Sequence, residues 1–135
     1  MGGAGARPRA VTGLCLDTGA LIAVERRDRR VLRLLELTLE SGATVDVPAG
    51  VVAQAWRGGR GQVLLARILK ADGVRCAELD METARAVGEL CAVTGGADVV
   101  DGHVALHALR FDLTVVTSDP DDIALFAEDI RIIAV

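Results

Sequence analysis

Four aspartates define the chemistry open to this sequence. Asp17 closes the apolar run LCLD, Asp119 follows the run LTVVTSD, and Asp98 and Asp101 stand three apart in ADVVDGHVALHA. A spacing of three puts Asp98 and Asp101 on one face of a helix, near the positive end of its dipole. Carboxylates gathered in one place repel one another and raise each other's pKa unless a cation cancels the charge. A hard divalent ion such as Mg²⁺ or Mn²⁺ does so, taking a few carboxylate oxygens and several waters. That pattern suits metal-assisted attack of water on a phosphodiester. Taken singly, Asp17, Asp98 and Asp119 each also suit a helix cap. Asp101 is harder to read as a cap, because it sits inside the first turns beside apolar residues. Asp121 and Asp122 read as solvated charges that complement a helix dipole.

Other chemistry-bearing residues carry less. His103 and His107 have a zinc-like spacing of four, but His103 points about 200° away from Asp101 around the helix. The pair is expected at the surface or at an interface. Arg57 and Arg60 follow the short segment ending at Gln54, where they could hold an RNA backbone; a solvated turn is an equal reading. The run ERRDRR, residues 25–30, reads as a solvated helix end. Trp56 suits packing or a partner surface. GGAGAR precedes the first strand instead of following one, so it is not a phosphate loop. Cys15, Cys76 and Cys91 are odd in number, far apart and in apolar surroundings, and are expected as buried hydrophobes of a reducing compartment.

The elements that must position the acids alternate along the chain. Residues 11–16 form an expected strand, followed by a helix capped by Asp17 or Thr18. RRVLRLLELTLESG is helical and ends at Gly42. ATVDVP is a strand stopped by Pro48, AGVVAQAWRGG a short helix, and QVLLARILKADG a further helix. VRCAEL is a strand, METARAVGELCAVTGG and ADVVDGHVALHALRF are helices, and LTVVTS is the fourth strand. PDDIALFAED is a helix with proline in its first turn, and IRIIAV a last strand. Strands that are short continuous apolar runs between helices imply a parallel sheet covered on both faces. In such sheets ligands bind outside the carboxyl ends of the strands, the rim where these acids fall.

The chain of 135 residues suits one domain, residues 11–135, behind a loose arm at residues 1–10. With three aromatic residues, its core must be built from Val, Leu, Ile and Ala. A net charge of −4 argues against holding nucleic acid by bulk electrostatics. The start has no signal-peptide core, and no apolar run reaches the roughly 20 residues that span a bilayer. A soluble cytoplasmic protein is expected, with no membrane partner.

LCLDTGALIAV, VPAGVVAQAWRGG, ADVVDGHVALHA and LTVVTSDPDD resemble, in order and spacing, the motifs of PIN domains, above all the VapC-type toxins of bacterial toxin–antitoxin pairs. The resemblance runs over nearly the whole chain from Val11. It implies a three-layer α/β/α sandwich with a central parallel sheet and an endoribonuclease dependent on Mg²⁺ or Mn²⁺. It assigns Asp17, Asp101 and Asp119 to catalysis and metal binding, and Asp98 to an extra acid of some members. Thr18 and Thr117 take supporting places, Thr117 beside the last acid. It further implies a homodimer, an RNA substrate and a small antitoxin whose basic residue enters the acidic pocket.

The sequence departs from the pattern at Gln54, where the family usually has glutamate. An amide can ligate weakly or hold a water, but it carries no charge and cannot act as a base. The expected consequence is weaker metal affinity unless Asp98 compensates. The alternative is a degenerate PIN domain that binds antitoxin or RNA with little cleavage; a third reading has the acids only capping helices. Two related architectures fit poorly. A haloacid-dehalogenase phosphatase would need an aspartate at Gly19, and a response-regulator receiver would need a lysine after a late strand, whereas the single lysine, Lys70, lies in a helix.

Overall fold

The computed structural model describes residues 12–135. The arm expected at 1–10, and Val11 at the head of the first strand, lie outside the described residues. Strands β1 (Leu14–Leu16), β2 (Val45–Pro48), β3 (Val74–Ala77), β4 (Thr114–Thr117) and β5 (Ile132–Ala134) form one sheet in the order β3-β2-β1-β4-β5. Every pairing is parallel. The helices are α1 (Thr18–Glu25), α2 (Arg29–Glu40), α3 (Ala49–Ala55), α4 (Val63–Leu69), α5 (Met81–Thr94), α6 (Val99–Phe111) and α7 (Pro120–Ala124). A 3₁₀ turn, Arg60–Gln62, leads into α4.

β1, β2 and β4 are buried along their whole length, as strands covered on both faces must be. The core on and around them is aliphatic: Leu16, Leu21, Val24, Val31, Val47, Val51, Leu65, Val104, Val115 and Ile123. From β1 the chain winds outward through β2 and β3, and it later returns to the other side of β1 with β4 and β5. The strand order therefore reverses between β1 and β4, and the crevice beyond their carboxyl ends is the switch point where parallel sheets place ligands.

Several boundaries are tighter than the sequence implies. α3 ends at Ala55, three residues before the Gly58–Gly59 pair, because Trp56 turns extended. α7 has five residues, and its proline sits in the first turn as expected. Cys15 is buried, but Cys76 is exposed, since β3 is an edge strand and presents its middle to solvent. No helix among the described residues is long and apolar enough to cross a membrane.

Candidate functional site

Asp17 directly follows β1 at the switch point, and Asp119 stands two residues beyond the end of β4. The Asp17 N–H donates to the Val116 carbonyl of β4 at 3.1 Å, which ties the end of β1 to its neighbour. Asp17 also caps α1: its Oδ1 accepts the Ala20 N–H at 3.0 Å. The turns carrying the two acids touch closely. A Cβ on Gly19 would stand 2.0 Å from the Ser118 hydroxyl oxygen, so only glycine lets α1 start there. Thr117, fully buried, links the acids, accepting the Asp119 N–H on Oγ1 at 2.9 Å and favouring the charged form of Asp17.

Helix α6 delivers the other two acids. Asp98 is its cap, with Oδ1 accepting the N–H groups of Val100 and Asp101 at 2.9 and 3.0 Å. Its Oδ2 takes no hydrogen bond among the described residues, and neither oxygen of Asp101 does. Asp101 is half-buried, and its pKa is pushed up to about 6, first by burial and then by the charges of Asp98, Asp17, Asp122 and Asp119. Asp17, 4% exposed, is likewise raised, mainly by burial and further by Asp119. Four acids from three distant stretches of the chain thus lie within electrostatic reach at one edge, with Asp122, read from sequence as solvated, as a fifth contributor.

Gln54 on α3 borders the same place. The Thr18 hydroxyl donates to its amide oxygen, so Thr18 and Gln54 are coupled to each other. Gln54 also lines an open groove of about 640 Å³ with Arg26 and Arg57. The Arg57 guanidinium is anchored to the Ala53 and Trp56 carbonyls at 3.1 and 2.7 Å. Arg60, in the 3₁₀ turn, is not part of that groove's wall.

The donor set is oxygen only, which suits a hard divalent ion. Among the described residues, however, no three His, Cys, Asp or Glu side chains stand as a ready-made ligand group. Asp17 and Asp98 are each engaged by a helix N–H, and neither oxygen of Asp101 takes a hydrogen bond among the described residues. Burial is the first cause that raises Asp101, and the neighbouring carboxylate charges, the part a cation would relieve, add to it. The residues therefore fit Mg²⁺ or Mn²⁺ by donor chemistry, with Asp17, Asp98, Asp101 and Asp119 as its candidate ligands.

The histidines overturn the surface reading. His103 points away from the acid edge, yet it is 2% exposed, and burial above all lowers its pKa. The angle around a helix tells where a side chain points, not what covers it. His107 is half-buried and meets Asp46 at 2.7 Å. Asp46, in the middle of β2, is a buried charge that sequence reading missed; Arg75 also binds both its oxygens, at 3.1 Å each. Burial opposes ionisation of Asp46, but hydrogen bonds and charge from His107 and Arg75 hold its pKa below the usual carboxylate range. An acid inside an apolar strand was the signal, and a strand acid implies a partner across the layer.

No protein-family model matches the chain, and no curated protein matches it. Solved structures do. VapBC2 from Rickettsia felis, bound to a DNA fragment from their promoter, matches with a TM-score of 0.68 at 16% identity, over 90% of this chain and 98% of that one. The fold is PIN-like. FitAB bound to the IR36 DNA fragment matches at 0.59 and 22% identity, over 90% and 94% of the two chains. FitAcB from Neisseria gonorrhoeae matches at 0.57 and 21%, over 88% and 95%. The PIN-like sandwich expected from the four motifs is thus the architecture observed, with coverage that leaves no large part of either chain aside.

Proposed function

We propose that this PIN-like chain is a divalent-metal-dependent endoribonuclease and the toxin of a toxin–antitoxin pair. The observation that carries the reading is the coupling of Asp101 to Asp17, Asp98 and Asp119 at the switch point of the sheet. Structural caps need no such gathering, and gathering them is unfavourable without a cation. The likeness to VapBC2 and FitAB chains supports the toxin role and a small antitoxin as partner. The homodimer, the RNA substrate and a cytoplasmic site of action rest on the motif resemblance.

A bound Mg²⁺ or Mn²⁺ supplies a water of lowered pKa and neutralises charge on the phosphate. The chain's own residues do the rest. Asp17, Asp101 and Asp119 hold the ion, with Asp98 offering its free Oδ2. Thr117 fixes the backbone of Asp119 and steadies Asp17, so two ligands from different strands share one support. Gln54 orients a water or ligates weakly. Arg57, and more weakly Arg60, meet the RNA backbone beside the acids.

One observation favours a second reading, a PIN-like domain that binds antitoxin or RNA without turnover. The Gln54 amide oxygen is already engaged by Thr18, and the position brings no charge. RNA cleavage followed during a Mn²⁺ titration separates the two. Cleavage that saturates with Mn²⁺ and vanishes in Asp101→Asn supports the nuclease. Saturable binding without cleavage supports the second reading, and absence of Mn²⁺ binding contradicts both metal assignments.

A further inference from the structure

The turn after α3 is built around one buried side chain. Gln62 is 5% exposed, and its amide makes three hydrogen bonds, all to backbone. Its Oε1 accepts the N–H groups of Arg57 and Gly58 at 2.8 and 2.9 Å, and its Nε2 donates to the Ala55 carbonyl at 2.8 Å. These are backbone groups that need partners because α3 stops at Ala55. The chain reverses at Gly58 and Gly59, with φ of 70° and 130°, and so returns Gln62 to the turn it supports. A buried amide is unfavourable unless paired, and an apolar side chain would fill the same space without that cost. The amide is accounted for by the bonds it makes.

The same turn holds Arg57 in one orientation. Its Nη1 donates to the Ala53 and Trp56 carbonyls at 3.1 and 2.7 Å, and among the described residues Nε and Nη2 have no partner. The Nε–Nη2 side of a guanidinium is a planar two-donor fork that matches two oxygens of a phosphate or a carboxylate. Arg57 lines the open groove of about 640 Å³ together with Gln54 and Gln62, and α1 contributes Ile22, Glu25 and Arg26 to its wall. Gln54 joins that groove to the acid edge through Thr18. The fork of Arg57 is thus set before any ligand arrives, by contacts that begin at Gln62.

We propose that Gln62 is a positioning residue for RNA: by clamping the turn at Arg57 and Gly58, it aims the free Nε–Nη2 edge of Arg57 at a backbone phosphate in the groove beside the acids. The proposal rests on the nuclease reading and deepens it, because it names what orders the RNA contact. Gln62 itself touches no RNA. An acidic segment of a partner protein offers the same paired oxygens, but the link from the groove to the acids through Gln54 and Thr18 favours the strand on which those acids act. Without the Gln62 amide, the turn and the Arg57 fork must be ordered at the moment of binding, which lowers affinity.

The test is binding of a fluorescent single-stranded RNA oligonucleotide to the full chain at low salt without divalent ions, so that cleavage does not intervene. Gln62→Met keeps the side-chain volume and removes the amide. It is expected to weaken RNA binding about threefold to tenfold with Arg57 present, and to have no effect in the Arg57→Ala background, which alone loses about tenfold. Mn²⁺ affinity is expected to be unchanged, which a general loosening of the fold would not allow. Amide exchange in the wild-type chain needs no variant: the Arg57 and Gly58 N–H groups, which lie outside any helix, are expected to be protected. The proposal alone is overturned if Gln62→Met leaves RNA binding intact, weakens it equally in both backgrounds or lowers Mn²⁺ affinity as much, or if those two amides exchange freely. RNA binding that Arg57→Ala leaves unchanged also overturns it, and assigns the fork to an acidic protein segment. A wild-type chain that binds no RNA overturns the nuclease reading and the proposal together.

Discussion

Asp101 is the residue on which charge balance turns. Its pKa in the folded chain, about 6, lies above the ordinary value of 3.8. A carboxyl raised on folding binds its proton more tightly in the native state, so its contribution to stability is lost as pH rises from about 4 through about 6. Asp101→Asn removes that penalty. In the absence of divalent ions it is expected to stabilise the protein by about 1 kcal/mol at pH 7.5, after discounting for partial exposure, and by nothing at pH 3.5. Urea unfolding at the two pH values checks this, and equal effects at both would remove the electrostatic account. The same variant is expected to cleave no RNA, the pairing of gain and loss that a functional carboxylate should show. Gln54→Glu restores the missing negative charge and is expected to tighten Mn²⁺ binding about tenfold, roughly 1.4 kcal/mol. Unchanged affinity would mean that position 54 does not reach the ion.

At the scale of elements, the site depends on two turns meeting, β1 into α1 and β4 into α7. Gly19→Ala drives a methyl into Ser118, with contacts as short as 2.0 Å. It is expected to cost about 1–3 kcal/mol and to depress cleavage beyond its effect on folding. Ser118→Gly in the same chain removes both the hydroxyl and the Cβ and should recover most of the loss, a coupling that a double-mutant cycle measures. Independent, additive effects would show that the two turns do not constrain each other. Much of this arrangement was legible in the sequence: an apolar run, an acid and a helix start recur at Asp17 and at Asp119, and parallel strands bring both to one rim. The acid of Asp46 inside an apolar strand was a local signal that went unread, but the identity of its partner was not legible, because His107 lies 61 residues away. The depth of His103 was hidden for a similar reason. Its covering layer, from the end of β3 and the start of α5, is assembled only in the fold.

Over the whole molecule, the PIN-like sandwich holds its acids at the switch point and keeps buried His103 and the His107–Asp46–Arg75 network away from it. On the proposed nuclease reading, the net charge of −4 leaves RNA to be held by a few local contacts, Arg57 foremost, and not by a basic surface. Few phosphates neutralised means few counterions released, so RNA affinity is expected to fall only shallowly with salt, with a logarithmic slope of roughly −1 to −2. A steep slope would place the RNA on a larger cationic surface than this chain offers. Four aspartates acting on one ion is the claim to which the function is tied, and Mn²⁺ binding read by water-proton relaxation in the wild-type chain and in Asp17→Asn, Asp101→Asn and Asp119→Asn tests it most directly. The account predicts one binding event in the wild type, weakened in all three variants. Undiminished Mn²⁺ binding in any one of them would contradict it.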